Sequence, residues 1–188
     1  MRKIIFVTGN SHKVREATRI MSPLGIEIEQ NNCGYPELQE DRLEAIAGFG
    51  AKWAANKLNN EVMVDDSGIF IDVLSGFPGP YSAYVARTLG NERILKLLDG
   101  ETNRSACLKC VIGYCRPHEE PMVFGGEVAG AIAKDIRGNL GFGYDPIFEV
   151  SGVTFGEMAD EEKNRISHRY RALGLFAKWL NKRINEFP

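Results

Sequence analysis

The first 28 residues constrain the fold more than any other stretch of this chain. Lys3 to Val7 is a short apolar run that ends in Thr8-Gly9-Asn10, a turn signal. From Ser11 the apolar residues Val14, Ala17, Ile20 and Met21 fall at three- and four-residue spacing, the period of a helix. Pro23 and Gly25 stop that helix, and Ile26 and Ile28 then alternate with Glu27 and Glu29, as in a half-buried strand. Strand, tight turn, helix and strand make a βαβ-like unit, which commits the chain to an α/β fold.

Later segments extend the pattern. A polar stretch, Asn31 to Asp41, precedes an amphipathic helix marked by Leu43, Ile46, Ala47, Gly50, Trp53, Ala54 and Leu58. Val62-Met63-Val64 is a strand that runs into Asp65-Asp66-Ser67-Gly68, and Ile69, Ile71 and Val73 alternate beyond it. The breakers from Gly76 to Ser82 predict an ordered loop, followed by a helix around Glu92 to Leu98. Ser105 to Cys115 and Met122 to Ala133 read as two strands joined by a turn. After a Gly-rich loop from Gly138 to Pro146, helical spacing returns with Ile166, Tyr170, Leu173, Phe176, Leu180 and Ile184. The expected architecture is one α/β domain of 188 residues, with a mixed sheet, flanking helices and room for two lobes around a cleft.

Charge and hydropathy remove several function classes. Lys plus Arg total 23 against 25 for Asp plus Glu, a net charge of -2, whereas binding a nucleic-acid backbone calls for a broad basic surface. A few clustered cations still suffice for one small anion. No apolar run approaches the roughly 20 residues of a spanning helix, and Met1-Arg2-Lys3-Ile4-Ile5-Phe6-Val7 reads as a strand rather than a signal peptide. These features place the chain in the cytoplasm, with no membrane partner. Cys107 and Cys110 have the spacing of a metal pair, but no second pair completes a zinc site, and residues three apart on a strand face opposite ways. Buried, reduced cysteines are expected.

Five segments carry residue types suited to chemistry. In Thr8-Gly9-Asn10-Ser11-His12-Lys13, backbone N–H groups and the positive end of a helix dipole converge, with a lysine one turn further on. That suits phosphate oxygens, although a plain strand–helix turn with a solvent lysine reads the same way. Asp65-Asp66-Ser67-Gly68 sets two acids at a strand end, where a cation would offset their burial and only one can face a ligand. Magnesium fits, being held by one or two carboxylates plus substrate phosphate; a solvated turn is the alternative. Pro36-Glu37-Leu38-Gln39-Glu40-Asp41 is an acidic loop. In Gly141-Phe142-Gly143-Tyr144-Asp145-Pro146, glycines admit close backbone approach and aromatics can stack on a base. In Lys163-Asn164-Arg165-Ile166-Ser167-His168-Arg169, either Arg165 and Arg169 share a helical face, or Ser167 caps a helix that starts with His168 and Arg169.

In this order the segments resemble the inosine triphosphate pyrophosphatase family, which clears non-standard purine nucleoside triphosphates. The matching features are Thr8-Gly9-Asn10 with Lys13, Pro36-Glu37 with Gln39, Asp65-Asp66-Ser67-Gly68, Gly79-Pro80-Tyr81-Ser82, Phe142-Gly143-Tyr144-Asp145-Pro146, Glu162-Lys163-Asn164 and Ser167-His168-Arg169. They span nearly the whole chain. The resemblance implies an elongated two-lobed fold with the site in a central cleft, usually as a homodimer. It implies that Thr8, Gly9, Asn10, Ser11, His12 and Lys13 hold the triphosphate, with Lys52 a further lysine near the phosphates. Glu37 and Asp66 would bind Mg2+, Asp66 would accept the proton of the attacking water, and Ser67 would touch substrate. Phe142, Gly143, Tyr144, Asp145, Lys163, His168 and Arg169 would contact nucleotide, largely at the base. One departure is Gly48-Phe49-Gly50, where many relatives carry Glu-Asn-Ala before the lysine.

The implied reaction is attack of metal-activated water on the α-phosphate of ITP, dITP or XTP, releasing the monophosphate and pyrophosphate. Asp66 and Lys13 are the catalytic candidates. A regulatory nucleotide-binding module without turnover, an RNA-binding protein using the 165–171 basic stretch, and a pyrophosphatase for pyrimidine or modified nucleotides are the competing readings.

Overall fold

In the computed structural model, which describes residues 2–186 and side chains from 2 to 183, the predicted opening is a parallel βαβ unit. Strand β1 (Arg2–Val7) pairs in parallel with β2 (Ile26–Asn31), Arg2 opposite Ile26 and Val7 opposite Asn31. Between them lies helix α1 (Ser11–Met21), which buries Ala17 and Met21. It ends in a tight turn at Ser22–Leu24, and Gly25 takes φ +71, a conformation glycine adopts without a Cβ penalty. Met1 and the side chain of Ile184 lie outside the described residues.

Helix α2 (Leu43–Leu58) leads to β3 (Val62–Ile71), whose start pairs in parallel with β1, Ile5 opposite Val62. The sequence reading places Asp65 and Asp66 at a strand end. In the structure both lie inside one ten-residue strand, because the alternation resumed at Ile69 continues the same ladder rather than opening a new one. Two-residue strand β4 (Pro78–Gly79) pairs antiparallel with β3. Ser82, expected to close a loop, instead begins helix α3 (Ser82–Thr88), and α4 (Gly90–Leu97) follows directly.

The predicted strands appear as β5 (Ser105–Cys115) and β6 (Met122–Ile132). Short strands β7 (Phe148–Val150) and β8 (Val153–Thr154) were not foreseen. Helices α5 (Asp160–Ile166) and α6 (His168–Glu186) are separated at Ser167, whose backbone is extended. The second of the two readings of that segment therefore holds: Arg165 and Arg169 do not share one continuous helix. The strands run in the order β2-β1-β3-β5-β6-β7-β8, with β4 on β3, and parallel and antiparallel pairs both occur. The sheet is mixed, and helices flank it.

The chain divides into two compact units. The first comprises Met1–Asp66, Cys110–Gly126 and Arg169–Pro188; the second, Ser67–Lys109 and Glu127–His168. In the first, Ile4 and Phe6 of β1, Met21 of α1, Ile112 of β5, and Leu173 and Phe176 of α6 form the core. There α2 approaches β5 so closely that a Cβ at Gly113 would collide with the Ala47 carbonyl. In the second, Ile69, Ile71, Ile94, Leu98, Phe148 and Phe155 play that part. Among the described residues, no helix is long and apolar enough to cross a membrane. The four cysteines are free thiols, Cys110 buried and Cys107 half-buried on opposite faces of β5.

Candidate active site

In the first unit, β1 delivers Thr8 to a turn that opens α1. The Thr8 hydroxyl accepts from the Asn10 amide, and the Asn10 side chain caps the helix by accepting from the N–H groups of His12 and Lys13. Part of the donor set expected for phosphate is thus already used. The amides of Gly9 and Ser11 are not drawn into these bonds. Gly9 stands where an added Cβ would come within 3.1 Å of Asn32 Oδ1. His12 and Ser11 are exposed, and His12 Nδ1 meets the Arg15 guanidinium at 2.7 Å.

Lys13 reaches from the first turn of α1 to Asp65, its Nζ 2.6 Å from Oδ1 and donating to the backbone carbonyl at 3.0 Å. Arg169, in the first turn of α6, donates through Nε to Asp65 Oδ2 at 2.7 Å and through Nη1 to Glu16 at 2.9 Å. The Cys110 thiol also donates to Oδ2, at 3.3 Å. The Asp65 side chain is wholly buried, which favours its neutral form. The guanidinium of Arg169 and the ammonium of Lys13 outweigh that burial and hold the carboxyl well below the usual carboxylate range. Burial, and then the Asp65 charge, push the Cys110 thiol up, so it stays a thiol. A buried acid gripping two cations locks both, and deleting it would take a carboxylate partner from each, at about 3–5 kcal/mol.

Asp66, the next residue, is half-buried on the opposite side of β3. Glu37 is exposed in the irregular stretch before α2. Both act on the hydroxyl of Tyr35, which is pushed up by burial first and then by Asp66, Asp65 and Glu37. Lys13 and Arg169 thus share Asp65, and Arg169 also meets Glu16, while Asp66 and Glu37 bear on Tyr35. Among the described residues no group of three or more His, Cys, Asp or Glu is arranged to hold a metal alone. Asp66 and Glu37, which both bear on Tyr35, are of the kind that holds magnesium, which takes one or two carboxylates and completes its shell with waters and phosphate oxygens. Lys52 is half-buried on α2 and donates to Glu120 at 2.6 Å.

In the second unit a glycine-rich loop is folded around Asp145. Its Oδ2 accepts from the Phe142 amide at 2.7 Å and from Lys163 Nζ at 2.7 Å, in a pair almost sealed from solvent. Gly141, at φ +73, has no room for a Cβ beside that carboxylate. Lys163 also stands 5.1 Å from the Phe142 ring centroid, so its charge covers one face of a half-exposed aromatic. Tyr144 is buried and its hydroxyl donates to the Ser82 carbonyl at 2.8 Å; burial pushes its pKa up to about 12. Asn91 donates to the Gly143 carbonyl at 3.0 Å. Ser67 is half-buried in β3, and His168 is buried at the start of α6.

Sequence reasoning missed Asp65 as the anchor of two cations, Glu16 as the second partner of Arg169, and Tyr35. The three-residue spacing of Lys13 and Glu16 on α1 could have suggested the second. For Tyr35 the one available signal was the pair of glycines in α2.

The fold is mixed α/β, and at its first strand–helix turn a buried aspartate holds a lysine and an arginine. The Ham1 family model matches residues 4–179, and the chain belongs to that family. It is 61% identical over 180 residues to a dITP/XTP pyrophosphatase of Methanosarcina mazei, covering 96% of this chain and 98% of that one. A dITP/XTP pyrophosphatase of Thermococcus kodakarensis is 51% identical, covering 97% and 99%. Among solved structures, a HAM1 protein from Coxiella burnetii superposes with a TM-score of 0.88 at 30% identity, over 97% of this chain and all of that one.

Proposed function

We propose that this chain hydrolyses non-standard purine nucleoside triphosphates (dITP, ITP and XTP) to the monophosphate and pyrophosphate. The observation that carries the reading is the Lys13–Asp65–Arg169 cluster at the Thr8–Lys13 turn, with Asp66 as the next residue of the same strand. The names of the relatives support the substrate class.

Magnesium, held by Glu37 and Asp66, supplies neutralisation of the phosphate charge. Lys13, already oriented by Asp65, stabilises charge that grows on the leaving pyrophosphate, and the Gly9 and Ser11 amides donate to phosphoryl oxygens. Asp66 accepts the proton of the water that attacks the α-phosphorus. Ser67 is a further substrate contact. Lys52 reaches a phosphate only by exchanging Glu120, which makes it the smallest contributor.

The base is assigned to the second unit's loop, with Phe142 as a stacking surface. Gly143, Asp145, Lys163, His168 and Arg169 hold or line the nucleotide, and Tyr144 supports the loop from the core. Hypoxanthine and xanthine present a 6-oxo acceptor where adenine presents an amino donor. A site that offers N–H donors there opposes donor to donor when ATP binds, and such mismatches are rejected by roughly 10⁴-fold. The proposed setting is a cytoplasmic homodimer.

The test is a panel of dITP, ITP, XTP, GTP and ATP, each with magnesium, with products resolved by chromatography. The expected outcome is monophosphate plus pyrophosphate from the first three and little from ATP. Equal rates with ATP, or saturable ITP binding without turnover, would sink the proposal.

A further inference from the structure

Helix α2 carries two buried glycines, Gly48 and Gly50, and the structure gives the second a use. An ideal Cβ built on Gly50 would lie 2.6 Å from Cε2 of Tyr35 and 2.9 Å from both Cδ2 and Cζ of the same ring. Real Cβ atoms do not approach aromatic carbons so closely, so the Tyr35 ring rests on bare helix backbone at this one position. Gly50 is itself buried in α2. A glycine inside a helix costs roughly 1 kcal/mol relative to alanine, so its presence calls for a compensating contact, and the ring is that contact.

Tyr35 stands two residues before Glu37, in a stretch without regular structure from 32 to 42. Such a stretch has no ladder of its own to fix its side chains. The ring is half-buried against α2, and two residues further along the backbone stands Glu37. One aromatic side chain thus joins the helix to the acidic loop within the first unit.

We propose that Tyr35, seated on the bare backbone of α2 at Gly50, is a positioning residue that docks the 36–41 loop and so fixes Glu37 for the divalent cation. This rests on the assignment of Glu37 and Asp66 to magnesium. Tyr35 touches neither substrate nor reacting atoms in this account. Its contribution is the entropy removed from the loop before metal arrives. Losing an outer partner of a metal ligand commonly costs 10- to 100-fold in metal affinity, and a loop anchor belongs at the lower end of that range.

The experiment titrates Mn2+ into the intact protein saturated with a non-hydrolysable α,β-imido analogue of ITP, reading free Mn2+ by electron paramagnetic resonance. Four variants are compared with the parent: Glu37→Gln, Tyr35→Ala, Tyr35→Phe and Gly50→Ala. Melting temperatures are taken in parallel. Gly50→Ala raises helix propensity while displacing the ring, so it separates loop docking from general loss of stability. The expected result is Mn2+ affinity about tenfold weaker in Tyr35→Ala and Gly50→Ala, with melting temperature held in Gly50→Ala. Tyr35→Phe, which keeps the seated ring, stays within about threefold of the parent. At saturating magnesium, kcat recovers in both weakened variants, as expected of a positioning role and not of a reacting group. Parent-like Mn2+ affinity in Tyr35→Ala and Gly50→Ala, beside a weakened Glu37→Gln, overturns this inference alone. Parent-like affinity in Glu37→Gln overturns the metal assignment beneath it.

Discussion

Two buried aspartates, one in each unit, are used differently. Asp65 grips Lys13 and Arg169 together, and Arg169 is shared with Glu16. Asp145 holds one cation, Lys163, and spends the same oxygen on the Phe142 amide. The first arrangement is rich in charge of both signs, with Lys13 partly open to solvent. The second is an ion pair almost sealed from water and roofed by an aromatic ring. A cluster of the first kind suits a ligand that brings phosphates and a divalent cation. One of the second kind suits a flat, neutral group recognised by stacking and shape. Buried acids beside lysines are therefore not one motif, and what surrounds the pair sets the chemistry it can offer.

The comparison breaks most visibly through Asp66. Asp66→Asn keeps the side chain's shape and removes its charge, so kcat should fall for every accepted substrate alike. Loss of a positioned proton acceptor accounts for about 10²–10⁴-fold. Steady-state kinetics on ITP and XTP check this, and near-parental turnover would remove Asp66 from its role. The opposite half responds differently and less. Phe142→Ala removes the stacking surface while leaving its backbone amide on Asp145, at about 1–3 kcal/mol per stacked base. The expected reading is a KM for ITP raised roughly tenfold with kcat little changed. If kcat fell as it does in Asp66→Asn, the division of labour between the two regions would be wrong.

Much of this was legible in the chain. The βαβ opening, α2 and the long β5–β6 pair follow from periodicity and breakers, because each buries a face whose spacing the sequence displays, whereas the segment at Ser167 admits both a continuous helix and a break. Strands β7 and β8 were not legible, since two or three residues carry no period. Nor was α3, whose start at Ser82 follows directly on Gly79-Pro80-Tyr81. Ser82 there accepts from the Ile69 amide and donates to the Gly79 carbonyl, contacts that only the fold creates. At the site, alternation along β3 shows that Asp65 and Asp66 face apart, but not which one is buried. That depends on Arg169, more than a hundred residues away. For Lys52 the sequence offers a position but not its partner, since its ammonium pairs with Glu120, 68 residues away.

The central claim is that water attacks the α-phosphorus at the acid–lysine cluster. Hydrolysis of ITP in 18O-enriched water, with products separated and weighed by mass spectrometry, addresses it directly. The account predicts label in inosine monophosphate and none in pyrophosphate. Label in pyrophosphate, or release of orthophosphate as the first product, would contradict it.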